Sequence, residues 1–96
     1  PMTRDEYTAR TRFRCWLTSS WKSVADDRRP GQTRSVPDYT GDGTTGTPRQ
    51  ILAAYYDLRR VCGGGAFLGL RVVDKDGGPV SLDTLREIVS AQDARR

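Results

Sequence analysis

The stretch from Thr47 to Val73 constrains the fold more than any other part of the chain. Thr47-Pro48-Arg49-Gln50 is a helix start in sequence form: a hydroxyl cap, a proline at the first helical position and a glutamine that closes the capping box. From there Ile51, Ala54, Tyr55, Leu58, Val61 and Cys62 recur at helical spacing and predict one buried stripe. Gly63-Gly64-Gly65 halts the helix, because glycine readily takes the left-handed conformation wanted just past a helix end. Ala66 to Val73 then alternates as a strand, with Ala66, Leu68, Leu70 and Val72 on one face and Phe67, Gly69, Arg71 and Val73 on the other.

The chain on either side is read outward from this unit. Downstream, Asp74-Lys75-Asp76-Gly77-Gly78 is a turn and Pro79-Val80 a brief returning strand. Ser81 then caps a last helix with Leu82, Leu85, Ile88 and Val89 as its apolar stripe, and residues 93–96 read as a frayed tail. Upstream, Thr3-Arg4-Asp5-Glu6 matches a capping box. Ala9, Phe13, Trp16, Leu17, Ser20, Trp21 and Val24 share one side at 100° per residue, which predicts a long first helix to about Ala25 or Asp27. Arg29-Pro30-Gly31 would end it. Residues 28–46, rich in Pro, Gly, Thr and Asp, read as a long flexible loop in which Thr33–Val36 could form an edge strand. The expected class is α+β: one small domain over residues 2–96, with a long N-terminal helix, a long loop, a second helix, a short antiparallel hairpin or small sheet and a C-terminal helix. Pro1 ahead of Met2 reads as a cloning scar.

Charge narrows the function classes. The chain carries fourteen arginines but two lysines, no histidine and a net charge of +4 over 96 residues. Scarce Lys, Asn and Ile point to a GC-rich bacterial or phage genome, so codon usage accounts for part of the arginine excess. No apolar run approaches the roughly 18 residues of a membrane span. The expectation is therefore a cytoplasmic protein without a membrane role. Two cysteines without histidine cannot make a structural zinc site. The helix phases place Cys62 on a core stripe and Cys15 on an outer face, so two free thiols are expected.

Most chemical motifs fail on inspection. The glycines from Gly63 to Gly69 follow a helix and precede a strand, the reverse of what presents phosphate to a helix N-terminus, and Ala66 and Leu68 break the dinucleotide pattern. Asp74-Lys75-Asp76 begins like a calcium loop, but Pro79 stands where the loop needs glycine and Leu85 where it needs glutamate. A winged-helix reading would put Asp74 and Asp76 at the wing tip, facing phosphate. No histidine and no spaced carboxylate pair supply acid–base catalysis. No cofactor is expected, and an enzyme is the most distant of three readings.

Two surfaces remain. Arg49, Tyr56 and Arg60 form a strip on the second helix with Arg59 at its border, and Arg10, Arg14 and Trp21 form an edge of the expected first helix. Arg, Tyr and Trp are favoured interface anchors. The leading expectation is a non-enzymatic binding protein, a monomer or homodimer, that contacts a protein partner with an acidic surface or a nucleoprotein. The alternative is direct, weakly sequence-specific DNA or RNA binding by the same side chains.

Overall fold

The computed structural model describes residues 10–64 and 68–94. The element order is β1 (Phe13–Thr18), β2 (Trp21–Ala25), β3 (Thr33–Pro37), β4 (Thr44–Gly46), α1 (Pro48–Val61), β5 (Gly69–Val73) and α2 (Leu82–Ala94). This is an α+β domain with a three-stranded antiparallel sheet in the order β4-β1-β5 and a separate two-stranded ribbon, β2-β3. Both β4 and β5 run antiparallel to β1, so they are parallel to each other and α1 is the crossover between them. The central unit is thus a split β-α-β with β1 inserted in the gap.

The second half of the chain forms the two helices its sequence announces, but α2 runs on through Asp93 to Ala94, where a frayed tail was expected. Thr47 accepts from the Gln50 amide and the Gln50 side chain accepts from the Thr47 amide, so the box is complete, with Pro48 in the first turn. Ser81 caps α2 by accepting from the Thr84 amide at 3.1 Å. The 74–78 turn closes through Asp74, whose Oδ1 accepts from the Asp76 and Gly78 amides. The expected return strand is a single bridge, Val73 to Pro79, followed by Val80 N–H donating to Val72 O.

The N-terminal half departs from expectation. Where a continuous helix was expected to about Ala25 or Asp27, residues 13–18 and 21–25 are strands. The capping box at Thr3–Glu6 lies outside the described residues, as do Ala66 and Phe67 of the expected strand. The physical reason is a competing period. Phe13, Cys15 and Leu17 alternate with Arg14, Trp16 and Thr18, and a run of aromatic and branched side chains fits a pleated, half-buried surface. The same apolar residues also fall within one helical arc. Burial decides: Phe13 is 1% exposed and Cys15 is 9% exposed, which corrects the outer placement of Cys15. The expected 28–46 loop likewise contains β3 and β4. The third strand of the main sheet is β1, and Thr33–Pro37 pairs with β2 instead. Arg29-Pro30-Gly31 does not end a helix but turns this ribbon, with Gln32 N–H donating to Arg29 O and Gly31 at φ +80°. That is the pattern of a type II turn.

The core lies between the inner sheet face and the two helices. Phe13, Cys15 and Val72 from the sheet meet Ile51 and Leu52 of α1 and Leu85 and Ile88 of α2, with Val80 closing one end. On α1 the buried arc is Pro48, Ile51 and Leu52, rotated from the expected stripe because this helix packs on α2 as well as on the sheet. Its last turn is uncovered: Val61 is 83% exposed and Cys62 half-buried. Both cysteines are free thiols, as the sequence indicates.

Candidate functional site

Strand register sorts the sheet residues into two sets, because cross-strand partners share a face. With Phe13, Cys15 and Val72 inward, Arg14 pairs with Thr45 and Val73, Trp16 with Arg71 and Thr18 with Gly69 on the outer face. Arg12 precedes β1 at the alternate position and joins this outer set. The face therefore carries three arginines, Arg12, Arg14 and Arg71, around one indole.

Uncharged oxygens hold two of these arginines. Arg14 donates to the backbone oxygen of Asp42, and Arg12 donates to the backbone oxygen of Thr45 at 3.2 Å. Arg71 lies over the Trp16 ring with its guanidinium carbon 5.0 Å from the centroid. A carbonyl or a π face orients a guanidinium but leaves its unit charge uncompensated. Among the described residues none of the three makes an ion pair. All three are exposed.

The loop between β3 and β4 fixes this arrangement. Trp16 Nε1 donates to Gly41 O at 3.0 Å. Gly43, at φ +73°, presses its backbone on the indole: a Cβ there would lie 2.6 Å from the Cys15 oxygen and 2.8 Å from the ring. Pro37 and the Tyr39 hydroxyl cover Gly69 at the far end of the face. Burial raises the Tyr39 phenol above its ordinary value, and the nearby Arg71 charge partly offsets that rise. A groove of about 410 Å³ runs beside the loop, bordered by Trp16, Tyr39, Asp42 and Ile51.

The strip expected on α1 is placed differently. Arg49 reaches across to α2, donating to Asp93 at 2.6 Å and to Gln92 at 3.1 Å. Arg60 is paired with Asp57 one turn back. The Tyr56 hydroxyl accepts from Arg86 Nε at 2.8 Å, and the Arg86 guanidinium sits over the ring. That hydrogen bond is the main cause raising the Arg86 pKa. Arg49, Tyr56 and Arg60 thus border the α1–α2 seam, and carboxylates compensate both arginines. Arg59 has no side-chain partner among the described residues. The other expected edge is dispersed: Arg10 lies in a turn, Arg14 on β1 and Trp21, 41% exposed, at the start of β2.

Sequence reasoning placed Arg14 on a candidate surface but missed Arg12, Trp16, Tyr39 and Arg71 as its companions. The alternation around Phe13, read as a strand, would have put Arg12, Arg14 and Trp16 on one face. Among the described residues no group of three or more His, Cys, Asp or Glu could hold a metal ion, and no helix is long and apolar enough to cross a membrane. Comparison with protein-family models, curated proteins and solved structures returned no match.

Proposed function

We propose that this chain is a non-enzymatic nucleic-acid-binding protein that grips the phosphate backbone with the outer face of its main sheet. The observation that supports this reading is the difference in how arginines are held. Arg12, Arg14 and Arg71 are oriented by carbonyls and an indole and keep their charge. Arg49 and Arg60 are already satisfied by carboxylates. A phosphate supplies the anionic acceptor that the first group lacks, in the bidentate geometry a guanidinium favours.

Salt titration tests the reading. Each phosphate contact contributes about −0.9 to the log–log salt slope on duplex DNA, so three contacts give about −2.7. Replacing Arg12, Arg14 and Arg71 by alanine lowers the measured slope by about that amount, whereas Arg49→Ala with Arg60→Ala leaves it unchanged. A protein that binds neither duplex nor single strand at roughly 50 mM salt refutes the proposal. So does a helix double variant that loses as much slope as the sheet triple.

A second reading keeps a protein partner with an acidic surface, docked on α1. Its support is Tyr56, 39% exposed, beside Arg59. On that reading Tyr56→Ala with Arg59→Ala abolishes capture of the partner while nucleic-acid binding is untouched.

A further inference from the structure

The β2-β3 ribbon is the least economical part of the fold. Almost every residue from Trp21 to Ser35 is exposed, and only Val24 and Asp26 are half-covered. A two-stranded ribbon that buries so little is marginal by itself and presents open edges. Its root is anchored: Asp38 N–H donates to Ser20 O, Lys22 pairs with Asp38 at 3.7 Å, and Pro37 packs on Gly69 of the outer sheet face. The ribbon therefore springs from the same face that carries Arg12, Arg14 and Arg71.

Its tip is closed and basic. Asp26 N–H donates to Gln32 O, Arg29 N–H donates to Asp26 O, and the Asp26 carboxylate accepts from the Arg28 amide. The Asp26 side chain is thus engaged in shaping the turn. Around it stand Arg28, Arg29 and Arg34, exposed and without ion-pair partners among the described residues, against two carboxylates, Asp26 in the turn and the exposed Asp27.

We infer that the β2-β3 ribbon enters the major groove of duplex DNA, with Arg28, Arg29 and Arg34 contacting the groove walls and guanine edges. The inference rests on the nucleic-acid reading above and names its substrate class. Size selects the groove. Two strands about 4.8 Å apart, with side chains, make a body roughly 10 Å across. The B-form major groove is about 12 Å wide and admits a two-stranded ribbon, whereas the minor groove is about 6 Å wide. The A-form major groove of duplex RNA is deep and narrow, so the ribbon fits DNA and not RNA. Strands of five residues reach about 17 Å, enough to cross a groove about 8.5 Å deep while the sheet stays on the backbone.

The test compares three probes of equal length, about two helical turns: duplex DNA, duplex RNA and the single DNA strand. Binding is read by fluorescence anisotropy and by methylation of guanine N7, which faces the major groove. The expected results are tightest binding to duplex DNA and protection of guanine N7. In Arg28→Ala/Arg29→Ala/Arg34→Ala the protection disappears and the duplex-DNA salt slope falls by about 2 to 3. Single-strand binding by the sheet face persists in that variant. Asp27→Asn is the variant whose gain cannot come from misfolding, and it tightens duplex-DNA binding. Equal weakening of all three probes by the triple variant would overturn the inference while leaving the sheet-face reading intact. Unprotected guanine N7 beneath tight duplex binding overturns it in the same way. Failure of the wild-type protein to bind any probe overturns both.

Discussion

Two glycines in the β3–β4 connection have nearly the same backbone conformation and very different surroundings. Gly41 has φ +70° and nothing within 4 Å of a Cβ built on it. Gly43 has φ +73°, but its Cβ would fall 2.6 Å from the Cys15 oxygen and 2.8 Å from Trp16. Alanine at Gly41 incurs the left-handed penalty alone, about 1–2 kcal/mol. Alanine at Gly43 incurs the same penalty plus an overlap that the backbone cannot yield without disturbing the β1–β4 ladder. Overpacking of this kind costs about 1–3 kcal/mol. The expected totals are about 1–2 kcal/mol for Gly41→Ala and about 2–5 kcal/mol for Gly43→Ala, and the difference isolates the contact. Urea unfolding followed by circular dichroism, compared at a common m value, measures both. At about 4–8 °C per kcal/mol for a domain of this size, the melting temperatures separate as well. Equal costs for the two variants, within about 0.5 kcal/mol, would refute the claim that Gly43 is required by close packing on the indole.

The remaining predictions concern ionisation and access. Tyr39 has its pKa raised by burial, so its neutral form is favoured in the folded state. Its contribution to stability is fully present below the unfolded value of about 10 and is lost as pH rises through the folded value. The tyrosinate difference spectrum between wild type and Tyr39→Phe reads this titration, and Arg71→Ala moves it further up because the opposing charge is gone. Titration of Tyr39 at or below the ordinary value contradicts its placement against Gly69 and Arg71. The thiols should separate as well: half-buried Cys62 reacts with an aromatic disulfide reagent in the native protein, and Cys15 reacts only on unfolding. Equal native rates would be inconsistent with Cys15 in the sheet core.

How much of the fold is legible depends on whether local signals agree. From Thr47 to Val61 cap, proline and apolar spacing all point to one helix, and α1 forms there. The Ser81 cap and the Leu85/Ile88 spacing do the same for α2. Between Phe13 and Ala25 the signals conflict. Phe13, Trp16, Leu17 and Val24 satisfy a helical arc, while Phe13, Cys15 and Leu17 satisfy alternation. The choice between them is tertiary: β1 is the middle strand, and it acquires ladders on both sides only when β4 and β5 are present. No window shorter than the span from Phe13 to Val73 contains all three strands. The Arg29-Pro30-Gly31 turn was readable as a turn, but whether a turn ends a helix or joins two strands depends on what precedes it.

The candidate site was less legible still, because what distinguishes one arginine from another is its acceptor. Arg14 and Arg60 look alike in sequence, each within two positions of another arginine in a mixed segment. Folding gives Arg60 a carboxylate one turn away and gives Arg14 a carbonyl from a loop 28 positions distant. Helical spacing could have suggested the first pairing, since Asp57 and Arg60 are three apart. The second requires β4 to be laid against β1. An arginine count overstates the charge available at α1 and says nothing of the sheet face. What matters for a polyanion is the set of guanidiniums that are oriented but not neutralised, and that set is defined by strand register: Arg12 and Arg14 by β4, Arg71 by Trp16 across the β1–β5 pair. The ribbon extends the same logic, since none of Arg28, Arg29 and Arg34 makes an ion pair among the described residues and together they outnumber the two tip aspartates, Asp26 and Asp27.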